Sequence, residues 1–355
     1  MEPLFSIVVP AYNVRPFLEG CLRSIRAQTV PDWECICVDD GSTDESGTVL
    51  DEFAAQDARF RAIHQANAGV GPARNAALSR CRGRFVAFVD ADDVLHPRFL
   101  ETVASTFERH PDAEFCRVGM ADFFGPEPDW DDDENPEAEV RDLSSRVDED
   151  SFEGYLWQFV FRREAIAGLA FRNLRYGEDR LFYAAVLDRA KRAAFSGAVR
   201  YGYRHHAEST VASPMTASKF SDYCRYHREC IRIMDQSAKQ YDRHCYRTVF
   251  HRFAVRNATS FFRGMAPGER DSAFPVWTEA MSALSEAKGF SRSEKICLRL
   301  AGRIRRQWTV WILFHGRTWL VRYSPLRRTA SFAKWKVAIP AWSLLRGCRH
   351  LPPGA

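Results

Sequence analysis

Short runs of consecutive apolar residues alternate with amphipathic segments along the first 120 residues of the chain. The apolar runs predict buried strands, and apolar positions three and four residues apart predict helices. The predicted strands are Ser6–Pro10, Glu34–Val38, Phe60–His64, Phe85–Val89 and Glu114–Val118. The predicted helices are Pro16–Gln28, a helix through Val49, Leu50 and Phe53 that Ser42 or Thr43 would cap, Ala73–Cys81 and Pro97–Glu108. This alternation is typical of a mostly parallel sheet with helices on both faces, so we predict an α/β fold.

The pattern changes after residue 125, and these changes define the predicted domains. The segments are an α/β domain at 1–215 (with parts 1–125, 126–150 and 151–215), a helical region at 216–290 and a basic, aromatic tail at 291–355. Between Gly125 and Glu153 the chain has 13 acidic residues and only two arginines, which predicts a solvated, acidic insertion. A strand is predicted near Ala194–Val199, and helical spacing runs from Lys219 to Phe262.

Two acidic clusters directly follow predicted strands. Asp39 and Asp40 come after the second strand, and Asp90, Asp92 and Asp93 come after the fourth. Open α/β sheets bind their ligands at the carboxyl ends of the strands, so we expect both clusters around one crevice. An Asp-x-Asp segment at such a place suits a divalent cation that bridges a diphosphate. Hard carboxylate oxygens favour Mg²⁺ or Mn²⁺.

Charge is distributed very unevenly along the chain. The net charge is +4, yet the segment from Arg292 onwards has 14 Lys and Arg residues and only one acid, Glu294. The rest of the chain is therefore net negative. Tryptophans and arginines mixed with short apolar runs favour the surface of an anionic membrane. A helical appendage packed on the α/β domain is the alternative, and we expect no nucleic-acid partner.

The expected location follows from features that the chain lacks. It begins without a basic leader and has no run of about 18 apolar residues, so we expect neither a signal peptide nor a spanning helix. Ten scattered cysteines without a Cys-x-x-Cys pair favour reduced thiols over a disulfide framework or a zinc site. We therefore expect a cytoplasmic protein that is peripheral on the inner face of the cell membrane.

Five motifs, in their order along the chain, resemble the family 2 glycosyltransferases of GT-A fold. They are Ser6-Ile7-Val8-Val9-Pro10-Ala11-Tyr12-Asn13, Asp39-Asp40-Gly41-Ser42-Thr43-Asp44, Asn67-Ala68-Gly69 with Ala73-Arg74-Asn75, Asp90-Ala91-Asp92-Asp93 and Gly177-Glu178-Asp179. The resemblance implies inverting, metal-dependent transfer of a sugar from a nucleotide-diphosphate sugar, most often a UDP-sugar. The acceptor would be a glycan or lipid-linked glycan of cell-surface polysaccharide synthesis. The Gln-x-x-Arg-Trp motif of processive members is missing, so we expect the non-processive bacterial type, which transfers a single sugar.

The resemblance also assigns residues to the nucleotide donor. Pro10, Tyr12 and Asp40 would border the uracil and ribose, with Asp39 as the alternative to Asp40. Arg74 would approach the base or the phosphates. Without the resemblance, Tyr12 could be a packing residue, and Asp39 or Asp40 a turn or cap residue.

Further assignments concern the metal and the acceptor. Asp92 is the preferred metal ligand, Asp90 would reach the ribose or the metal, and Asp93 would support them. Asp179 would be the general base, and Glu178 would bind acceptor hydroxyls or orient Asp179. A helix start that favours acidic residues is the alternative for this pair.

An aromatic residue and two histidines complete the candidates. Trp157 would stack on the acceptor sugar, with core packing as the alternative. His205 and His206 would either contact the metal or diphosphate or be ordinary surface or core histidines.

Two other functions are compatible with parts of the sequence. A nucleotidyltransferase acting on sugar phosphates usually has a Gly-rich, basic loop after its first strand, and Pro10-Ala11-Tyr12-Asn13 is not such a loop. A non-catalytic, membrane-associated glycan-binding module is the second alternative. The presence of both Asp92 and Asp179 argues against it.

Overall fold

A computed structural model of the chain describes residues 2–125, 128, 130, 137–206, 216–250, 267–290 and 295. The chain divides into two units, Met1–Arg305 and Arg306–Ala355, and every described residue belongs to the first. The strands are β1 (Phe5–Ala11), β2 (Trp33–Asp39), β3 (Phe60–His64), β4 (Phe85–Phe88), β5 (Val94–Leu95), β6 (Phe115–Phe123), β7 (Glu139–Asp142), β8 (Arg146–Val147), β9 (Phe159–Arg162), β10 (Arg192–Arg204) and β11 (Gln240–Tyr241). The helices are α1 (Arg15–Arg26), α2 (Ser46–Gln56), α3 (Val70–Leu78), α4 (Phe99–Arg109), α5 (Glu149–Phe152), α6 (Glu178–Arg189), α7 (Ala217–Gln236), α8 (Arg243–Phe250) and α9 (Pro267–Leu284).

Nine of the described strands form one sheet. Their order is β3-β2-β1-β4-β9-β6-β10-β5, and β7 also pairs with β10. β3, β2, β1 and β4 are parallel neighbours, and β9 is antiparallel to both β4 and β6. Because β10 is parallel to β6, six strands of the sheet share one direction. The predicted α/β fold with a mostly parallel sheet is confirmed.

Burial explains why the first half of the chain forms these elements. Every residue of β2 is buried, as the continuous apolar run predicted. On α1, the buried residues Leu18, Cys21, Leu22 and Ile25 form one stripe at helical spacing. Each buried leucine or isoleucine contributes about 1.5–3 kcal/mol relative to exposure.

The predicted side-chain cap of α2 is wrong. The helix begins at Ser46, and neither Ser42 nor Thr43 caps it. Instead, Ser42 Oγ accepts the backbone N–H of Asn13, and the Thr43 N–H donates to Asn13 Oδ1. These polar side chains join the loops after β1 and β2, a tertiary contact that local spacing does not reveal.

The acidic segment 126–150 is only partly the solvated loop that composition predicted. β7 pairs antiparallel with the first residues of β10, and Asp148 caps α5 by accepting the N–H of Ser151. Arg141 stabilises the pairing of β7 with β10, because it forms an ion pair with Glu139 and lies over the ring of Phe195. The loop prediction is therefore wrong from residue 139 onwards. Residues 126, 127, 129 and 131–136 lie outside the described residues.

The helical region also differs from its prediction. The spacing suggested one helical stretch from Lys219 to Phe262, but α7 ends at Gln236 and β11 follows it. β11 pairs with β8 in a second, two-stranded sheet, which is why the helix is interrupted. Residues 251–262 and, apart from Lys295, the basic tail from 291 lie outside the described residues. Within the described part, no helix is both long enough and apolar enough to cross a membrane.

Candidate active site

The sheet brings both predicted acidic clusters to the carboxyl end of β1. Ala11 lies opposite Asp39 in the β1–β2 register, and the Asp40 N–H donates to Ala11 O over 2.8 Å. On the other side of β1, the Val89 N–H donates to Val8 O over 2.9 Å, immediately before Asp90. The two clusters therefore lie on either side of the same strand end.

The loop after β1 is held rigidly beside the first cluster. Asn13 adopts a left-handed backbone conformation, with φ of 48°, and its Oδ1 accepts the N–H of Thr43 over 2.7 Å. The Arg15 N–H donates to Asp44, which adds a further link between the two loops. Between these fixed points Tyr12 is 50% exposed. An exposed aromatic ring on a rigid loop is a ready platform for a planar base.

Asp39 and Asp40 are both buried and hydrogen-bonded. Asp40 accepts hydrogen bonds from the Ala68 and Gly69 N–H groups, over 2.9 and 2.7 Å, and so holds the loop after β3. Burial raises the pKa of Asp39, but hydrogen bonds from Ser42 and His64 outweigh it and lower this pKa overall. Neither aspartate is only a turn residue, and the choice between them for base recognition stays a prediction.

Arg74 connects the donor-side aspartates with the acidic pair at α6. It is 4% exposed, and its two terminal nitrogens donate to Asp90 Oδ1 and Glu178 Oε1, each over 2.7 Å. These partners are 16 and 104 residues away in sequence. Its Nε atom is buried without a hydrogen-bond partner among the described residues. The proposed contact of Arg74 with the donor stays a prediction, whereas its ion pairs with both acidic segments are direct observations.

Two residues of β10 organise the second acidic cluster. The Tyr201 hydroxyl donates to Asp93 Oδ2 over 2.7 Å and accepts the Asp90 N–H over 3.2 Å. Asp93 also accepts the backbone N–H of Arg204. Burial and the neighbouring carboxylates Asp92 and Asp90 raise the pKa of Asp93 well above its usual range. Asp93 is thus buried and hydrogen-bonded to β10, and its supporting role for a metal ligand stays a prediction.

Asp92 and His206 lie together at the open side of this cluster. Asp92 Oδ2 is 2.9 Å from His206 Nε2, and the His206 ring packs against Phe17 with centroids 4.2 Å apart. The Nδ1 atom of His206 is buried without a partner among the described residues. His205 instead pairs with Asp122 and stacks on Phe124, away from Asp92.

The Asp92–His206 pair fits a divalent cation. Adjacent ligands about 2.1 Å from an octahedral ion are about 3 Å apart, close to the separation of this pair. Oxygen and imidazole donors both suit Mn²⁺, and oxygen donors suit Mg²⁺. Two side chains do not complete a coordination shell, and the described residues contain no group of three or more such donors arranged for a metal. A diphosphate would have to supply the remaining oxygens.

Glu178 and Asp179 form the first turn of α6, directly after Gly177. The Arg74 pair holds Glu178 in a buried position, and burial together with the charge of Asp179 raises its pKa to about 7. Asp179 is half-buried, and no hydrogen bond from a described residue ends on its carboxylate. Its charge also contributes to the raised pKa of Asp90, so both acidic segments share one electrostatic environment.

Gly177 fixes the start of this helix. Its φ is 83°, and a Cβ atom here would lie 2.5 Å from the ring of Tyr226. Only glycine meets both conditions without strain. The Asn75 side chain donates a hydrogen bond to Phe171 O and accepts one from the Phe171 N–H. These two bonds tie α3 to the segment that leads to Gly177.

The predicted acceptor residue Trp157 is mostly inside the protein. It is 6% exposed and stacks on Tyr201, with ring centroids 4.4 Å apart. Tyr155 also stacks on Trp157, with ring centroids 5.0 Å apart, and is 45% exposed. The exposed ring of this stack is therefore Tyr155. A sugar contact of Trp157 stays a prediction.

Sequence reasoning missed the Arg74–Glu178 ion pair, the Asn13 link and the exposed Tyr155. A signal existed for Asn13, because Asn tolerates left-handed backbone conformations and follows a strand end here. No local signal existed for the ion pair, whose partners come from distant motifs.

Comparison with known proteins agrees with this geometry. Residues 6–168 match the model of glycosyl transferase family 2. The chain is 33% identical over 226 residues to the glycosyltransferase EpsJ of Bacillus subtilis, which covers 60% of this chain and 64% of EpsJ. It is 33% identical over 221 residues to EpsH of the same organism, covering 59% of this chain and 63% of EpsH. The chain thus spans just under two thirds of the length of these relatives.

The fold of this chain is also similar to that of a solved structure. The structure of S. aureus TarS 1–349 in complex with UDP-GlcNAc matches with a TM-score of 0.71 over 88% of this chain and 91% of that chain. The sequence identity is 18%, so this likeness concerns the fold alone. The match to the family model begins in β1 and includes both acidic clusters. Residues 6–168, just under half of the chain, thus match family 2 of the glycosyltransferases, and the fold agrees with that match.

Proposed function

We propose that this protein is an inverting glycosyltransferase that transfers one sugar from a nucleotide-diphosphate sugar, most often a UDP-sugar, to a glycan or lipid-linked acceptor. The acceptor would belong to cell-surface polysaccharide synthesis. The observation that carries the proposal is the Arg74 bridge, which joins Asp90 on one side to Glu178 on the other. Asp92 lies two residues after Asp90, and Asp179 directly follows Glu178. In this proposal both therefore border one space.

In this proposal the nucleotide lies at the end of β1. Tyr12 offers its exposed ring to the uracil, and Pro10, Asp39 and Asp40 border the base and ribose. Asp90 is the carboxylate nearest to the ribose. Burial raises the pKa of Asp90, and the adjacent Arg74 guanidinium opposes this rise and so favours the charged carboxylate.

Asp92 and His206 would hold a Mn²⁺ or Mg²⁺ ion. A bound ion would supply charge neutralisation for the departing diphosphate. The Arg204 Nε–H donates to the Asp92 carbonyl, and its backbone N–H donates to Asp93, so β10 fixes the position of the ligand.

Asp179 acts as the general base. It removes the proton from the acceptor hydroxyl as that oxygen attacks the anomeric carbon and the bond to the diphosphate breaks. The free carboxylate of Asp179 suits this role, because its oxygens are not occupied by other described residues. Glu178 pairs with Arg74 and positions Asp179 at the start of α6.

The proposal is tested by equilibrium binding of UDP in the presence of Mn²⁺. We expect Asp92→Asn to weaken UDP binding by about tenfold or more, because a charged metal ligand is lost. The matched control is Asp112→Asn, a half-exposed aspartate that pairs with Arg192 near the amino ends of β6 and β10. Its UDP affinity should equal that of the unchanged protein. Absence of UDP binding, or equal Mn²⁺-dependent affinity in Asp92→Asn, would contradict the proposal.

We also propose that the basic, aromatic tail holds the protein on the inner face of the cell membrane. The support is its composition, 14 basic residues against one acid together with tryptophans. Sedimentation with anionic vesicles should be strong at low salt and weaken as salt increases. Equal binding to neutral vesicles, or none to anionic ones, would contradict this part of the proposal.

A further inference from the structure

A cation that forms no ion pair with a described residue lies beside the proposed general base. Arg180 follows Asp179 in the first turn of α6 and is half-buried. Its guanidinium lies over the ring of Tyr155, 4.8 Å from the centroid. No carboxylate among the described residues forms a salt bridge with it, and no hydrogen bond within that part of the chain uses its N–H groups.

The aromatic stack holds this guanidinium in place. Tyr155 and Trp157 are nearly parallel, with an interplanar angle of 3°, and Trp157 stacks in turn on the fully buried Tyr201. Arg180 is therefore the outermost member of a stack that is anchored in the core. Stacking occupies the face of the guanidinium and leaves the five N–H donors on its edge available.

The charges around Arg180 indicate which kind of acceptor it could bind. Arg74 is neutralised by Asp90 and Glu178, so it contributes no surplus positive charge. An anionic acceptor that approached Asp179 would be repelled by the surrounding carboxylates unless another cation faced it. A neutral acceptor would need no such cation. Arg180 also lines a small, mostly apolar cleft together with Tyr183 and Tyr226.

We propose that the acceptor is an anionic glycan, and that Arg180 binds a carboxylate or phosphate group on or next to the accepting sugar. Tyr155 would hold the guanidinium edge-on toward that group. This inference rests on the proposed glycosyl transfer, because Asp179 defines the acceptor side. Bidentate hydrogen bonds from a guanidinium suit both carboxylate and phosphate oxygens.

The test uses the full chain saturated with UDP and three probes. These are a glucuronate-containing tetrasaccharide, the same tetrasaccharide with its carboxyl groups reduced to alcohols, and a glycerol phosphate tetramer. We expect at least one anionic probe to bind about tenfold tighter than the reduced one. Arg180→Gln should weaken binding of that probe by about 10- to 100-fold and leave the reduced probe unchanged. The tighter of the two anionic probes identifies the carboxylate or the phosphate as the natural group.

Controls separate this role from a structural one. Arg189→Gln removes the same charge from the exposed last turn of α6 and should change no affinity. Arg180→Lys should retain part of the anionic preference because the positive charge remains. If Arg180→Gln weakens all probes equally, or if the unchanged protein has no anionic preference, the inference is overturned. UDP binding is measured in parallel and should be the same in Arg180→Gln, so that its loss in every variant would instead indicate failure of the proposed function.

Discussion

We expect Asp179→Asn to lower the rate of the proposed sugar transfer by about 10²- to 10⁴-fold, the range that a general base contributes. The amide cannot take the proton of the acceptor hydroxyl, although it has nearly the same shape as the carboxylate. No described residue donates a hydrogen bond to Asp179, so the substitution breaks no hydrogen bond within the described part of the chain. The measurement is UDP release with the preferred donor from a panel of nucleotide sugars, together with UDP affinity, which should not change.

The matched control is Asp188→Asn. Asp188 lies on the same helix α6 and is half-buried like Asp179, but it is two and a half turns farther along. It should retain the full rate. Equal rates for Asp179→Asn and the unchanged protein would remove Asp179 from the mechanism, whereas a parallel loss of UDP affinity would indicate a structural effect.

Arg74→Ala lowers the free energy of unfolding by about 3–5 kcal/mol, the usual cost of removing one partner from a buried ion pair. Asp90 and Glu178 would both lose their counter-charge, and Glu178 is nearly inaccessible. The measurement is urea-induced unfolding. The destabilisation should also depend on pH. The pKa values of Glu178 and Asp90 are both raised in the folded protein, so their protonated forms favour folding at low pH. This contribution is lost as pH rises, and for Glu178 the loss is complete above its pKa of about 7.

Removing Arg74 raises both of these pKa values further, so Arg74→Ala should be less damaging at pH 5.5 than at pH 8. Arg80→Ala is the matched control, because Arg80 lies just beyond the end of α3 and is exposed. Its effect should stay within about 0.5 kcal/mol. Arg74→Lys should be intermediate, since an ammonium keeps the charge but cannot reach both carboxylates as the planar fork does. Equal stability of Arg74→Ala and Arg80→Ala would contradict the bridging role.

Much of the parallel sheet could be predicted, because its central strands are buried on both faces and therefore have continuous apolar runs. The segment Cys35–Val38 is such a run, and all of β2 is buried. The positions of Asp39 and Asp90 followed from the same signal, since each comes directly after such a run. A strand end is a local feature that the sequence displays.

Tertiary contacts could not be predicted in this way. Arg74 pairs with Glu178 over 104 positions, and neither residue differs in its local pattern from an exposed helical charge. His206 meets Asp92 only because β10 returns beside β5 in the sheet. β7 was hidden by its acidic composition, because Arg141 neutralises that charge only in the folded protein.

The most direct test of the account is a crystal structure of the protein with UDP and Mn²⁺, with the metal located by its anomalous signal. The account predicts Mn²⁺ between Asp92, His206 and the diphosphate, uracil beside Tyr12, and the Asp179 carboxylate facing the β-phosphate across a space the size of a sugar. Mn²⁺ bound elsewhere, or Asp179 on a surface that the diphosphate does not face, would contradict it.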